Sequence, residues 1–131
     1  MKTRFITIGL ITTMMLFVLT GFSQRASKVI FYRTGCVYGL LAHYKVIVDG
    51  KELFILKNKS IQSVMLDAGN HTISPKQSKR AITLDVQAGH VYVVKYRTMI
   101  GILGARPRLK IMTLEEAKKD SKLVREYADK Q

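Results

Sequence analysis

The sequence predicts an all-β fold: a two-layer antiparallel β-sandwich of about seven to eight strands, followed by one short C-terminal α-helix. Three observations predict it. Segments in which apolar and polar residues alternate with period two follow one another at short spacing from Lys28 to Met112. Turn chemistry separates them, as at Asp49-Gly50, Asp67-Ala-Gly-Asn70 and Gln87-Ala-Gly-His90. Only after Thr113 does the pattern change to a helical one. A sheet with one apolar face must bury it against another layer, which makes a sandwich the economical solution.

Taken in order, Lys28–Tyr32 is β-branched and aromatic and predicts the first strand. Arg33 to Leu40, with Gly35 and Gly39, is expected as a loop. His43–Val48 alternates and would place Tyr44, Val46 and Val48 on one face. Asp49-Gly50 suits a two-residue hairpin turn, and Glu52–Leu56 returns from it. Lys57-Asn-Lys59 breaks the pattern, Ser60–Leu66 resumes it, and the turn at Asp67–Asn70 leads into His71–Ser74, which Pro75 ends. Ala81–Val86 should point Ile82, Leu84 and Val86 inward, and Val91–Arg97 is the longest candidate. Met99 to Pro107 is expected as a loop before a last strand, Leu109–Met112. Thr113-Leu-Glu-Glu116 is a capping box opening a helix from about 114 to 128. Asp120 and Ser121 interrupt its apolar stripe, so it is expected to pack lightly.

The N-terminus has a different character. Lys2 and Arg4 precede an uncharged apolar stretch, Phe5–Leu19, and Gly21-Phe22-Ser23 offers small residues where a signal peptidase reads them. The stretch is shorter than the roughly 20 residues that span a bilayer. The expected organisation is therefore a signal peptide over 1–23, cleaved near Ser23, and one sandwich domain over 24–131. A retained N-terminal anchor is the alternative. Position 22 is Phe and Cys36 follows Arg33-Thr-Gly, so no lipid-attachment cysteine follows the apolar stretch. The expected location is periplasmic or secreted.

Cys36 is the only cysteine, so no intrachain disulfide can staple the fold. Loss of Lys2 and Arg4 would lower the formal net charge from +13 only to +11. So basic a domain is drawn to phosphate-bearing surfaces, or is merely kept soluble by its charge. For an exported chain the expected partner is an envelope protein, lipid or glycan, with peripheral membrane contact included and nucleic acid not expected.

Four motifs occur in order: Val48-Asp-Gly-Lys51, Leu66-Asp-Ala-Gly-Asn-His-Thr-Ile73, Val86-Gln-Ala-Gly-His-Val-Tyr92 and Gly104-Ala-Arg-Pro107. Together they resemble the bacterial domain-of-unknown-function family numbered 2846, a set of small exported or lipid-anchored proteins. The middle of the chain is also similar to PEGA-type and carboxypeptidase-regulatory-like sandwiches. The resemblance implies a β-sandwich and carries no catalytic residues. The lipid-attachment cysteine of the anchored members is absent here, which favours a soluble form.

No constellation for catalysis is legible. His43, His71 and His90 have no metal-ligand spacing, and a turn histidine bonding backbone is the expectation. No nucleophile motif is present. Asp49, Asp67 and Asp85 stand at turns or on solvent faces, five further acids lie on the C-terminal helix or its end, and Glu52 is left without a partner. Catalytic, metal and cofactor residues are therefore expected to be none, and the chain is read as a non-enzymatic interaction module, an enzyme being the remote alternative. The candidate interaction loop is Ile100, Gly101, Ile102, Leu103 and Gly104, with Arg106 and Arg108 following. It is either an exposed apolar and basic tip or a crossover whose Ile100, Ile102 and Leu103 plug the core. Lys76, Lys79 and Arg80 are expected to join the two arginines if the partner is lipopolysaccharide or acidic lipid.

Overall fold

A computed structural model describes residues 26–37, 40–75, 80–102 and 104–131. The signal-peptide expectation falls outside the described residues, as do Lys76, Lys79 and Leu103.

The described residues form eight strands: β1 (Ala26–Arg33), β2 (Tyr44–Val48), β3 (Lys51–Leu56), β4 (Ser60–Asp67), β5 (Gly69–Ser74), β6 (Ile82–Val86), β7 (Val91–Gly101) and β8 (Gly104–Met112). They make two four-stranded sheets, ordered β4-β1-β7-β8 and β3-β2-β5-β6. The predicted sandwich is the observed one, with a single parallel pair, β1 against β7, among otherwise antiparallel ladders. Parallel pairing buries both faces of a strand. Accordingly Val29 to Arg33 of β1 are all buried, where simple alternation would bury every second residue.

The main core lies between the sheets and includes Val29, Phe31, Tyr44, Val46, Leu56, Ile73, Leu84, Val94 and Tyr96. Tyr44, Val46 and Val48 share the inner face, as alternation required, and Leu84 and Val86 oppose them with Ile82 partly buried. The β2–β3 turn is Asp49-Gly50 at φ 52° and 79°, a left-handed pair that glycine and aspartate tolerate. The expected turn at Asp67–Asn70 is instead a corner. β4 and β5 belong to different sheets, only Ala68 separates them, and Gly69 at φ 133° supplies the bend.

Three expectations are corrected. Met99–Pro107 is not a loop: β7 and β8 form one long hairpin, with Thr98 opposite Pro107 and Gly101 opposite Gly104. Pro107 is accommodated because β8 is an edge strand, one side of which needs no ladder partner. The C-terminal helix is two helices, α1 (Leu114–Asp120) and α2 (Lys122–Asp129), broken at Ser121, which is extended at φ −142°, ψ 128°. Asp120 is held back by Tyr32 and Lys95, each 2.6–2.7 Å from its Oδ2. Burial opposes the charge of Asp120, but these two donors hold its carboxyl below the usual range. Nor do the helices pack lightly. Ala117 and Val124 are wholly buried in a second core with Ile30, Tyr32, Val93 and Met112, on the outer face of the β4-β1-β7-β8 sheet. The predicted capping box at Thr113 and Glu116 is present in both directions. No helix among the described residues is long and apolar enough to cross a membrane.

Candidate functional site

Strand directions decide which connections meet. β1 and β7 run in parallel, so the loop after Arg33 and the tip of the β7–β8 hairpin lie at one end of the sandwich. β4 begins there, with Ser60 opposite Arg33, and β2 begins there, with Tyr44 opposite Leu56 and its hydroxyl 3.2 Å from Thr98. β5 runs toward this end and β6 leads away from it. Four connections therefore leave the strands in this direction: those after Arg33, Leu56 and Ser74, and the turn of the β7–β8 hairpin.

Two of them are tied together. The Cys36 N–H donates to Asn58 Oδ1 at 3.1 Å, and the Arg33 guanidinium donates to the carbonyls of Ala42 and Leu56 while stacking 4.2 Å over the Tyr44 ring. Cys36 is a half-buried free thiol. The expectation that Arg33 opens a loop is corrected: it closes β1, fully buried at the root of this end.

The composition of the end is one-sided. None of the nine acidic residues falls in the four connections, whereas Lys57, Lys59, Arg80, Arg106 and Arg108 do, or directly flank them. Along the hairpin, side chains alternate. Tyr92, Val94 and Tyr96 face the inter-sheet core and Val93 the helix side, so Arg97 and Met99 share the helix-side face with their cross-strand partners Arg108 and Arg106. Lys95 opposes Lys110 on the same face, and there Asp120 compensates. Among the described residues no ion pair compensates Arg97, Arg106 or Arg108.

A cleft of about 580 Å³ opens between the edge strands β6 and β8. Arg80 borders it from the segment entering β6, Arg106 and Arg108 from β8, and Ile82, Ile100 and Leu109 form its apolar floor. Of the candidate interaction loop, Ile100, Gly101, Arg106 and Arg108 meet at this cleft, Ile102 stands fully exposed at the tip beside Gly104, and Leu103 lies outside the described residues. Ile100 and Ile102 are exposed and plug nothing. Sequence reasoning missed Leu41, Leu40 and Val37 as further exposed apolar residues beyond the end of β1. Their signal was the acid-free run Leu40-Leu-Ala-His43, but only strand order shows at which end of the sandwich it lies.

The histidines have other duties. His71 Nδ1 lies 2.6 Å from Asp49 Oδ2 and Nε2 lies 2.7 Å from the Asp67 carbonyl, which joins the β2–β3 turn to the inter-sheet corner at the opposite end. Burial lowers its basicity, but the Asp67 carbonyl and the Asp49 carboxylate outweigh that and raise its pKa. His43 and His90 are exposed. Among the described residues, no three His, Cys, Asp or Glu side chains group as metal ligands.

Fold and site together define a small β-sandwich with a helix-backed sheet and one basic, apolar-tipped end. The chain belongs to the family described as Protein of unknown function (DUF2846), whose model matches residues 23–105. That match runs from β1 through the hairpin tip. No curated protein and no solved structure matches the chain.

Proposed function

We propose that the chain is a non-enzymatic binding module of the bacterial cell envelope, exported by its N-terminal segment, which holds an anionic envelope component at the acid-free end. The observation that carries this reading is the meeting of Arg80, from the segment entering β6, with Arg106 and Arg108 of β8 on one cleft, with no carboxylate paired to them among the described residues. Guanidinium groups stay charged at any physiological pH, and their planar forks match phosphate and carboxylate oxygens. Like charges placed opposite each other, as Arg97 and Arg108 are, destabilise the free fold. An anionic ligand removes that strain. The lining also supports a binding role, since arginines and aliphatic side chains do not exchange protons near neutrality and so offer no general base.

Inorganic polyphosphate is a suitable first probe. Replacing Arg80, Arg106 and Arg108 together by Gln should weaken its binding at least roughly tenfold at low salt, with the loss fading as salt rises. Lys51→Gln, in the β2–β3 hairpin at the other end, should change little. Equal losses in both variants, or none in the triple variant, would overturn the reading. Export is checked separately by fusing alkaline phosphatase after the N-terminal segment and weighing the mature chain. An inactive fusion with uncut product removes the envelope location.

A further inference from the structure

We infer that the acid-free end docks on the membrane itself: Ile102 of the β7–β8 tip, with Val37 and Leu41 after β1, enters the interfacial layer of an acidic phospholipid bilayer, and the arginines behind them engage lipid phosphates. This rests on the anion-binding reading above and adds a lipid occupant and an orientation.

Exposure points the same way as charge. The three most exposed large apolar side chains among the described residues, Ile102, Leu41 (95%) and Val37 (78%), all stand at this end, and Ile100 (64%) joins them. They come from two segments far apart in sequence, both lying beyond the point where the parallel β1–β7 pairing ends, with Arg33 beside Tyr96. The tip sequence is unusual for its geometry. With Gly101 paired to Gly104, two residues remain for the turn, a place where Asn, Asp and Gly dominate. The described residue there is Ile102, an aliphatic side chain, while Gly104 at φ 110° takes the left-handed position. Neither folding nor solubility favours aliphatic residues there.

A soluble polyanion has no use for these apolar side chains. A bilayer interface matches both parts: apolar residues penetrate about 5–10 Å beneath the headgroups, and cations just behind them meet a negative surface. The apolar residues are presented on held supports, which lowers the ordering cost of docking. Tyr44 bonds Thr98 under the hairpin, Cys36 bonds Asn58, and Arg33 grips Ala42 at the loop's root.

The chain has no tryptophan, so a single Ile102→Trp or Leu41→Trp substitution makes a clean reporter. The chain from Gln24 to Gln131, the form expected after export, contains all the core residues found among the described residues and is the form to test. Both positions are almost fully exposed, so the urea midpoint should not move. With vesicles of phosphatidylglycerol and phosphatidylcholine, emission from both reporters should shift to the blue and be quenched by brominated acyl chains. Ile55→Trp, on the outer face of the other sheet, should stay unquenched. In the tryptophan-free chain, Leu41→Ser with Ile102→Ser should lower vesicle partitioning roughly tenfold and leave polyphosphate binding unchanged, since neither residue lines the cleft. Each of Arg106→Gln and Arg108→Gln should lower partitioning roughly fivefold at low salt.

Salt-sensitive vesicle binding with both reporters unquenched would overturn insertion and leave the anion reading standing. So would polyphosphate binding without vesicle binding. Loss of both activities would fail both readings. A reporter that is silent on vesicles but shifts with a purified envelope protein would make this end a protein interface, and the membrane proposal would fall.

Discussion

Arg33 lies fully buried, with its guanidinium over the Tyr44 ring and its donors directed at the carbonyls of Ala42 and Leu56. Desolvation lowers its pKa from the ordinary arginine value, and the group stays cationic because that value is so high. Arg33→Ala should therefore cost about 2–4 kcal/mol in urea unfolding, since it strips two carbonyls of a donor and empties a packed site. Arg33→Lys should recover only part, because a point charge replaces a planar fork and loses the stacking. At the other end, the His71–Asp49 contact gives stability a pH signature. His71 is raised in the folded state, so its contribution is full below about 6.5 and is lost as pH climbs through the raised value. Asp49 is lowered, chiefly by the Thr72 N–H, so its contribution is full above about 3.9 and is lost as pH falls through the lowered value. The contact should be strongest between these limits. Urea midpoints of the native chain should fall between pH 6 and pH 8.5, and His71→Gln should flatten that fall. Parallel pH curves would show that His71 is not the titrating group.

Among elements, the hairpins and helices show how far local pattern carries. Asp49-Gly50, the inward positions of β6 and the capping box are legible because each is settled by residues a few positions apart. The Met99–Pro107 segment misleads because Gly and Pro ordinarily punctuate strands, whereas an edge strand tolerates both. The helix break at Ser121 misleads because Asp120 is drawn to Tyr32 and Lys95, partners distant in sequence. Both helices are needed to cover the outer face of the β4-β1-β7-β8 sheet. Val124→Ala should accordingly cost about 2 kcal/mol, although the sequence places it on a surface helix. Thr113→Ala should cost about 1 kcal/mol by removing one side of the capping box. Both losses are readable as shifts in denaturation midpoint, and a Val124→Ala chain as stable as the native one would mean that the helices only drape the sheet.

At the scale of the molecule, the charges are sorted by end and by face. Five of the nine acids ride on the helices or the last residues, and the others lie in or beside strands and turns remote from the acid-free end. The Arg97–Arg108 opposition, with Arg106 close by in the same strand, stores repulsion that salt can screen over about 10 Å at 0.1 M. Raising salt from low to moderate concentration should therefore raise the thermal midpoint by about 2–5 °C. Polyphosphate should do so at far lower concentration, and Arg108→Gln should blunt both effects. A midpoint that falls with salt would show that attraction dominates the electrostatics.

The sequence by itself determined the strand pattern, the sharpest hairpin turn, the capped helix start and the basic excess, since each depends on composition or on neighbours within one turn of chain. It also marked Ile100, Ile102, Arg106 and Arg108 as a unit, because they lie close together along the chain. Strand order, the parallel pairing of β1 with β7, the second core under the helices and the meeting of Arg80 with the hairpin were decided only in three dimensions. Those features depend on which strands become neighbours, a choice made by packing between residues far apart in the chain, to which local periodicity is blind.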